Sequence, residues 1–263
     1  FMRNWIIYAV TLLTLQSCYD RIEKCLDEYA ANYDVSADDA CFDCCTFPAL
    51  TLKLEHKLGD STYSNRDTLI NDLGQLYVIE DVRYYLSNVH IYQDGQPLGI
   101  RQHIATEDNL LIISDDMKII KSSDKEVTFG TVKAFGTFDS LGCNFGMSEL
   151  MTENTFVNLT TDHVLQPLVK LKNKENKQAY LTMKYKRITP VADTVSQIIA
   201  VTQRPDFPAI VLRKTIKTII GNPMIYTIKA DYKVLLQDQN LSLSADTLSS
   251  LIFGNLSKMI KDE

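Results

Sequence analysis

From residue 50 the chain alternates. Leu50, Leu52, Leu54, His56 and Leu58 fall on one side of an extended segment, and Thr51, Lys53, Glu55 and Lys57 on the other. A period of two with one apolar side predicts a strand with one face in a core and one in water. Residues 67–95 carry the densest pattern of this kind. There Leu76, Val78 and the Val82, Tyr84, Leu86 set alternate with polar partners, and Asp94-Gly95 closes the run with turn chemistry. The stretch reads as one β-hairpin unit around which the domain is organised. Further strands are predicted over 110–114, 126–138, 164–171, 179–188, 198–201, 209–219 and 224–236, with breaks at Gly142, Asn173-Lys174, Arg204-Pro205-Asp206 and Gly221-Asn222-Pro223. Many short strands at fairly even spacing, without helices between them, predict an all-β fold, an antiparallel β-sandwich. One C-terminal amphipathic helix stands apart. Leu248, Leu251, Ile252, Asn255, Leu256 and Met259 recur at helical spacing, Asp246 is placed to cap it, and its apolar face is expected across a sheet edge or the sandwich mouth.

The N-terminal residues break this pattern. Arg3 is followed by an apolar run of about eleven residues, 5–15, too short to cross a bilayer, and then by Leu15-Gln16-Ser17-Cys18. This is a bacterial lipobox. It predicts a signal peptide over 1–17, cleavage before Cys18, and acyl chains on that thiol that hold the protein on a membrane. The expected place is the cell envelope of a Gram-negative bacterium, on its outer membrane. Loss of Arg3 with the leader takes the net charge from -6 to -7. No basic block remains, which argues against a nucleic-acid partner. The 45% hydrophobic and 23% charged residues are globular values, and the roughly 220 residues after Phe47 suffice for one sizeable core. The expected organisation is a leader at 1–17, a Cys- and Asp-rich tether at 18–46 and one sandwich domain at 47–263.

The tether carries its own chemistry. Asp27, Glu28, Asn32, Asp34, Asp38, Asp39 and Asp43 crowd among cysteines. Oxygen ligands at that density suit Ca²⁺, with Asp27, Asn32, Asp34, Asp38 and Asp39 as candidates, although the spacing is not that of an EF-hand; the competing reading is a solvated acidic tether. With Cys18 taken by lipid, the disulfide candidates are Cys25, Cys41, Cys44, Cys45 and Cys143, in a compartment that permits oxidation. Cys44 or Cys45 bonded to Cys143 would staple the tether to the domain. The sharper reading makes Cys41-x-x-Cys44-Cys45 a soft-metal site, because clustered thiolates suit Cu(I) or Zn²⁺.

Two histidines also draw the eye. His56 lies on the apolar side of its strand, where a histidine is more often a hydrogen-bonded structural residue than a ligand. By a period of two, His90 shares a face with Leu86, Asn88 and Tyr92, so a two-histidine site forms if the two strands are adjacent. His103 and His163 sit in polar surroundings. A search for catalytic motifs returns no Gly-x-Ser-x-Gly elbow, no His-Glu-x-x-His and no phosphate-cradling loop. Asp139-Ser140, Asp115-Asp116 and Glu80-Asp81 read as turn and strand-end carboxylates. The expectation is a non-enzymatic protein.

Gly74-x-x-x-x-Ile79-x-x-x-Arg83-Tyr84-Tyr85-Leu86-Ser87-Asn88 resembles the signature strand pair of the MbnP-like family, named after a protein of the methanobactin copper cassette. Phe135-Gly-Thr-Phe-Asp-Ser-Leu-Gly-Cys-Asn144 and Ile228-Lys-Ala-Asp231, with the helix up to Met259, resemble two further family segments. The resemblance spans roughly residues 50–260 and implies copper binding in the envelope. In the family's copper-binding members histidines act with an oxidised tryptophan, whereas the one Trp here is Trp5, inside the leader. A site of that type is therefore not carried over, nor is the haem peroxidase that accompanies some members. What the resemblance leaves is copper on His56 and His90, aided by Met147 or Met151, since imidazole and thioether are both competent ligands. The tether in turn resembles the Cys-x-Asp…Asn-Tyr-Asp…Asp-Asp…Cys repeats of Bacteroidetes-type envelope proteins, which implies a Cys25 to Cys41 pair. Two functions stay open: a metal-binding lipoprotein, and a surface sandwich whose loops bind a protein or glycan partner without metal.

Overall fold

The computed structural model describes residues 20–41, 43–100, 103–105, 112–114, 117–147, 163–166, 170–191, 193–202 and 209–262. The leader with Trp5, the lipobox Cys18, Asp115, Asp116 and Met151 lie outside them. The chain divides into two compact units, Phe1–Thr46 and Phe47–Glu263.

The first unit has one short parallel pair, β1 (Glu23–Lys24) with β2 (Asp39–Ala40). Among its described residues, Cys25 and Ala30 are completely buried and little else is. Disulfides tie it together: Cys25 to Cys45 and Cys41 to Cys44. The expected Cys25 to Cys41 pair is thus replaced, and the staple from Cys44 or Cys45 to Cys143 does not form. Cys143 is a free, buried thiol.

The second unit runs through β3 (Ala49–Leu58), β4 (Ser61–Thr62), β5 (Leu69–Ile70), β6 (Leu76–Gln93), β7 (Gln96–Gly99), β8 (His103–Ala105), β9 (Ile112–Ser114), β10 (Lys118–Lys121), β11 (Glu126–Thr131), β12 (Gly136–Phe138) and β13 (Ser140–Phe145). It continues through β14 (Ala179–Ile188), β15 (Thr194–Thr202), β16 (Ala209–Leu212), β17 (Ile216–Thr218) and β18 (Met224–Asp231). It closes with α1 (Lys233–Leu236), α2 (Ala245–Phe253), α3 (Leu256–Met259) and β19 (Ile260–Asp262). Two principal sheets result. The larger has the order β15-β14-β6-β13-β16, with β5, β7 and β10 also paired to β6; the smaller has the order β11-β3-β18-β19, with β4 on β3. Pairing is mostly antiparallel, β3 with β18 being parallel. Leu50, Leu52 and Leu54 of the smaller sheet share one core with Tyr77, Ile79, Val82, Tyr84 and Leu86 of the larger, which defines a β-sandwich. A second cluster gathers Tyr85, Met117, Met147, Val164, Leu165, Leu171 and Ala179. Tyr84 and Tyr85 are consecutive, so their side chains leave opposite faces of the sheet, and both are fully buried.

The central strand β6 is 18 residues long and serves two sets of neighbours. Its first half pairs with β5, β14 and β10, its second half with β13 and β7. Two bulges make this possible. Lys184 faces Asp81 but Tyr185 faces Ile79, leaving Glu80 as an extra residue. Gly142 faces His90 but Asn144 faces Ser87, and Asn88 between them takes φ 49°, a left-handed conformation that asparagine tolerates. Each bulge reverses which side chains point inward. The core set therefore runs Tyr77 and Ile79, then Val82, Tyr84 and Leu86, then Val89 and Ile91. Strict alternation put Leu76 and Val78 inward, whereas Leu76 is exposed and Val78 half-buried.

Other boundaries shift for local reasons. Residues 126–138 form two strands, parted where the Val132 amide donates to the Pro48 carbonyl. Residues 209–219 likewise split into β16 and β17. The stretch 224–236 ends as a strand at Asp231, whose carboxylate accepts from the Gly59 and Lys233 amides and turns the chain into α1. Within 164–171, Val164 and Leu165 lie in a turn. The predicted helix is real but shorter. Ser244, not Asp246, is its cap, accepting from the Thr247 amide at 3.2 Å. The helix α2 stops at Gly254, and the chain resumes as α3. It lies against the edge strand β15, where Ser249 donates to the Ala200 carbonyl at 2.8 Å.

Candidate functional site

His56 sits on the core-side register of β3 and is half-buried. Its Nε2–H donates to the Asp124 carbonyl at 2.6 Å, and its Nδ1 accepts from the Tyr232 hydroxyl at 2.6 Å. The Tyr232 ring stacks beside it, centroids 5.6 Å apart, and Tyr63 meets Tyr232 edge-on. A carbonyl only accepts and a neutral imidazole has one donor, so these partners select the neutral ring. Burial lowers the His56 pKa below its ordinary value, with the Asp124 bond opposing more weakly. Burial also raises the Tyr232 and Tyr84 hydroxyls well above theirs.

His90 lies past the Asn88 bulge, so its ring faces away from the core set of Val89 and Ile91 and from the side of Leu86. Nδ1–H donates to the Asn88 carbonyl at 2.7 Å and Nε2 accepts from the Tyr92 hydroxyl at 2.9 Å. The ring lies directly over Gly142, where an added Cβ would come within 2.4 Å of Nε2. Glycine is required there for close approach.

The two imidazoles belong to different sheets, and β3 and β6 are not hydrogen-bonded neighbours. All four ring nitrogens are engaged, so neither ring presents a lone pair to a common ion. This arrangement does not fit copper shared between His56 and His90. Met147 is buried in the second cluster, with Tyr85 and Met117. The His163 Nδ1 accepts from the Leu165 amide.

The tether carboxylates are also committed. Asp27 accepts from the Tyr29 amide, Asp38 from the Ile22 amide, and Asp39 from Arg21. Asp34 takes Lys24 and both the amide and hydroxyl of Ser36, bonds that hold its carboxyl far below the usual range. Asn32 bridges the Cys44 carbonyl and the Thr46 amide. These are the bonds of a folded loop, and no three of the carboxylates converge. Among the described residues the grouping that does converge is Cys41, Cys44 and Cys45, whose sulfurs all lie within 4.8 Å of one another.

Sequence reading missed the partners that define each centre. Asp124 and Tyr232 are 68 and 176 residues from His56, and no short-range pattern joins them. Gly142 beneath His90 was visible only as a turn signal.

The molecule is, by class, a β-sandwich preceded by a small cystine-tied unit. No family model and no curated protein matches the chain. Among solved structures, MbnP from Methylosinus trichosporium aligns over 75% of this chain and 80% of its own, with 11% sequence identity and a TM-score of 0.46, a likeness too slight to carry argument.

Proposed function

We propose that the chain is a non-enzymatic lipoprotein of the cell envelope, anchored through lipid on Cys18, whose sandwich is a binding module for a protein or glycan partner. The observation that carries this reading is the lipobox Leu15-Gln16-Ser17-Cys18 placed directly before a cystine-tied tether. Copper on His56 and His90, which the family resemblance implies, is not adopted, because each ring is already bonded at both nitrogens on a separate sheet.

Two measurements test the reading. Expression of the full chain in a Gram-negative host with a labelled fatty acid should label the protein, and Cys18→Ala should abolish the label and move the protein to the soluble fraction. An unlabelled wild type overturns the anchor. Metal content of protein purified without chelators should be the same in the wild type and the His56→Ala, His90→Ala double variant. Loss of stoichiometric copper in the variant would restore the histidine site.

A further inference from the structure

Four of the five cysteines of the first unit, Cys25, Cys41, Cys44 and Cys45, form one cluster. Cys41, Cys44 and Cys45, drawn from two different disulfides, place their sulfurs within 4.8 Å of one another, and Cys25 is bonded to Cys45. Tetrahedral coordination at a metal–sulfur distance of about 2.3 Å needs sulfurs about 3.8 Å apart. The backbone that carries them is pinned by other bonds. The Cys41 amide donates to the Lys24 carbonyl, the Asp34 amide to the Cys25 carbonyl, Asn32 clamps the Cys44 carbonyl to the Thr46 amide, and the Ala31 amide reaches the Thr46 carbonyl. These are main-chain and Asn32 bonds, and none of them uses a sulfur atom. Residues 20–46 also carry eight carboxylates against Arg21 and Lys24, a field that favours a cation.

We propose that the first unit is a redox-gated thiolate site that takes a thiophilic d10 cation, Cu(I) or Zn²⁺, when its disulfides are reduced. Cys44 is the exposed residue of the cluster, and Cys41, its disulfide partner, lies three residues before it. A thiolate of a small-molecule or protein dithiol attacks the Cys44 sulfur, forming a mixed disulfide and expelling the Cys41 thiolate; the second thiol of the reductant then displaces Cys44 and leaves as a disulfide. The same exchange opens Cys25 to Cys45. In all, two dithiols deliver four electrons and four protons, and the ion displaces protons from the thiols it binds. Soft thiolates select such ions over hard ones. The oxidised unit holds the same sulfurs as two disulfides and has no thiolate to offer.

The test uses the full-length protein in detergent, oxidised or reduced with a phosphine under anaerobic conditions. Zn²⁺ is titrated against a chromophoric chelator and Cu(I) against a Cu(I)-specific one, which separates the two ions. One ion per chain should bind to the reduced form and none to the oxidised. Cys44→Ser and Cys45→Ser should each weaken binding by more than the ~10–100-fold typical of losing an outer-shell partner, while Cys143→Ser and His56→Ala leave it unchanged. Cobalt(II) added to the reduced protein should give thiolate charge-transfer absorption, a readout that does not depend on the unit keeping its fold before the metal arrives. Equal binding by oxidised and reduced protein, indifference to both serine variants, or no cobalt–thiolate band overturns the proposal.

Discussion

His56 and His90 make the same two bonds and are nonetheless different objects. Each gives one nitrogen to a main-chain carbonyl and the other to a tyrosine hydroxyl. His90 finds both partners two residues away on its own strand, at the outer face of the larger sheet. His56 draws its partners from 68 and 176 residues away and ties β3 to the loop before β11 and to the end of β18. Saturation is thus common to both, but only His56 is a long-range brace. The difference shows why a histidine on an apolar strand face is weak evidence for a ligand: the core can use its two nitrogens to satisfy other buried groups.

Substitutions can break this contrast. The largest effect belongs to His56→Ala, which strands the Tyr232 hydroxyl and the Asp124 carbonyl; a cost of about 2–3 kcal/mol is expected, read as a fall in the midpoint of urea unfolding at unchanged slope. A change equal to that of His90→Ala would dissolve the distinction. Gly142→Ala comes next. Its Cβ would drive the His90 ring off its partners, at about 1–2 kcal/mol, and that cost should shrink in a His90→Ala background. Equal costs in the two backgrounds would mean that the ring is not what the methyl meets. His90→Ala alone should cost under about 1 kcal/mol, because Asn88 and Tyr92 regain water.

The gentlest effect is a pH slope that sharpens the comparison. Burial lowers the folded pKa of His56 below its ordinary 6.5. Between those two values the unfolded chain binds the proton and the folded one does not, so stability falls as pH drops through that window. The contribution is complete above the unfolded value. His56→Gln should flatten the slope of thermal stability between about pH 7.5 and 5 relative to wild type; an unchanged slope would assign it to other groups.

How far the sequence could be read follows from the range of each interaction. The alternation of Leu50 to Leu58 is a nearest-neighbour signal, and β3 has the face it predicts. The strand β6 defeats the same rule because bulges at Glu80 and Asn88 each insert one residue, and nothing in apolar periodicity marks an insertion. The left-handed Asn88 was a faint local hint. Val234-Leu235-Leu236 looks like strand by hydrophobicity and becomes a helical turn through Asp231, whose carboxylate captures two amides. Disulfide pairing was least legible. Four cysteines allow three connectivities, and the choice depends on a loop held by Asn32, Asp34 and Asp38 rather than on spacing. His56 could be read as a hydrogen-bonded structural residue from its place on the apolar face, but its partners Asp124 and Tyr232 could not, being set by topology.

One feature of the sandwich core acts as a clock. Cys143 is a free thiol, buried, with a pKa pushed up to about 12 by its surroundings. A thiol in that state is neither accessible nor ionised, and an alkylating reagent reaches it only in molecules whose core has opened. Its labelling rate therefore counts those openings one molecule at a time, and in an oxidising compartment the same closure protects it from a mispaired bond with the cysteines of the tether.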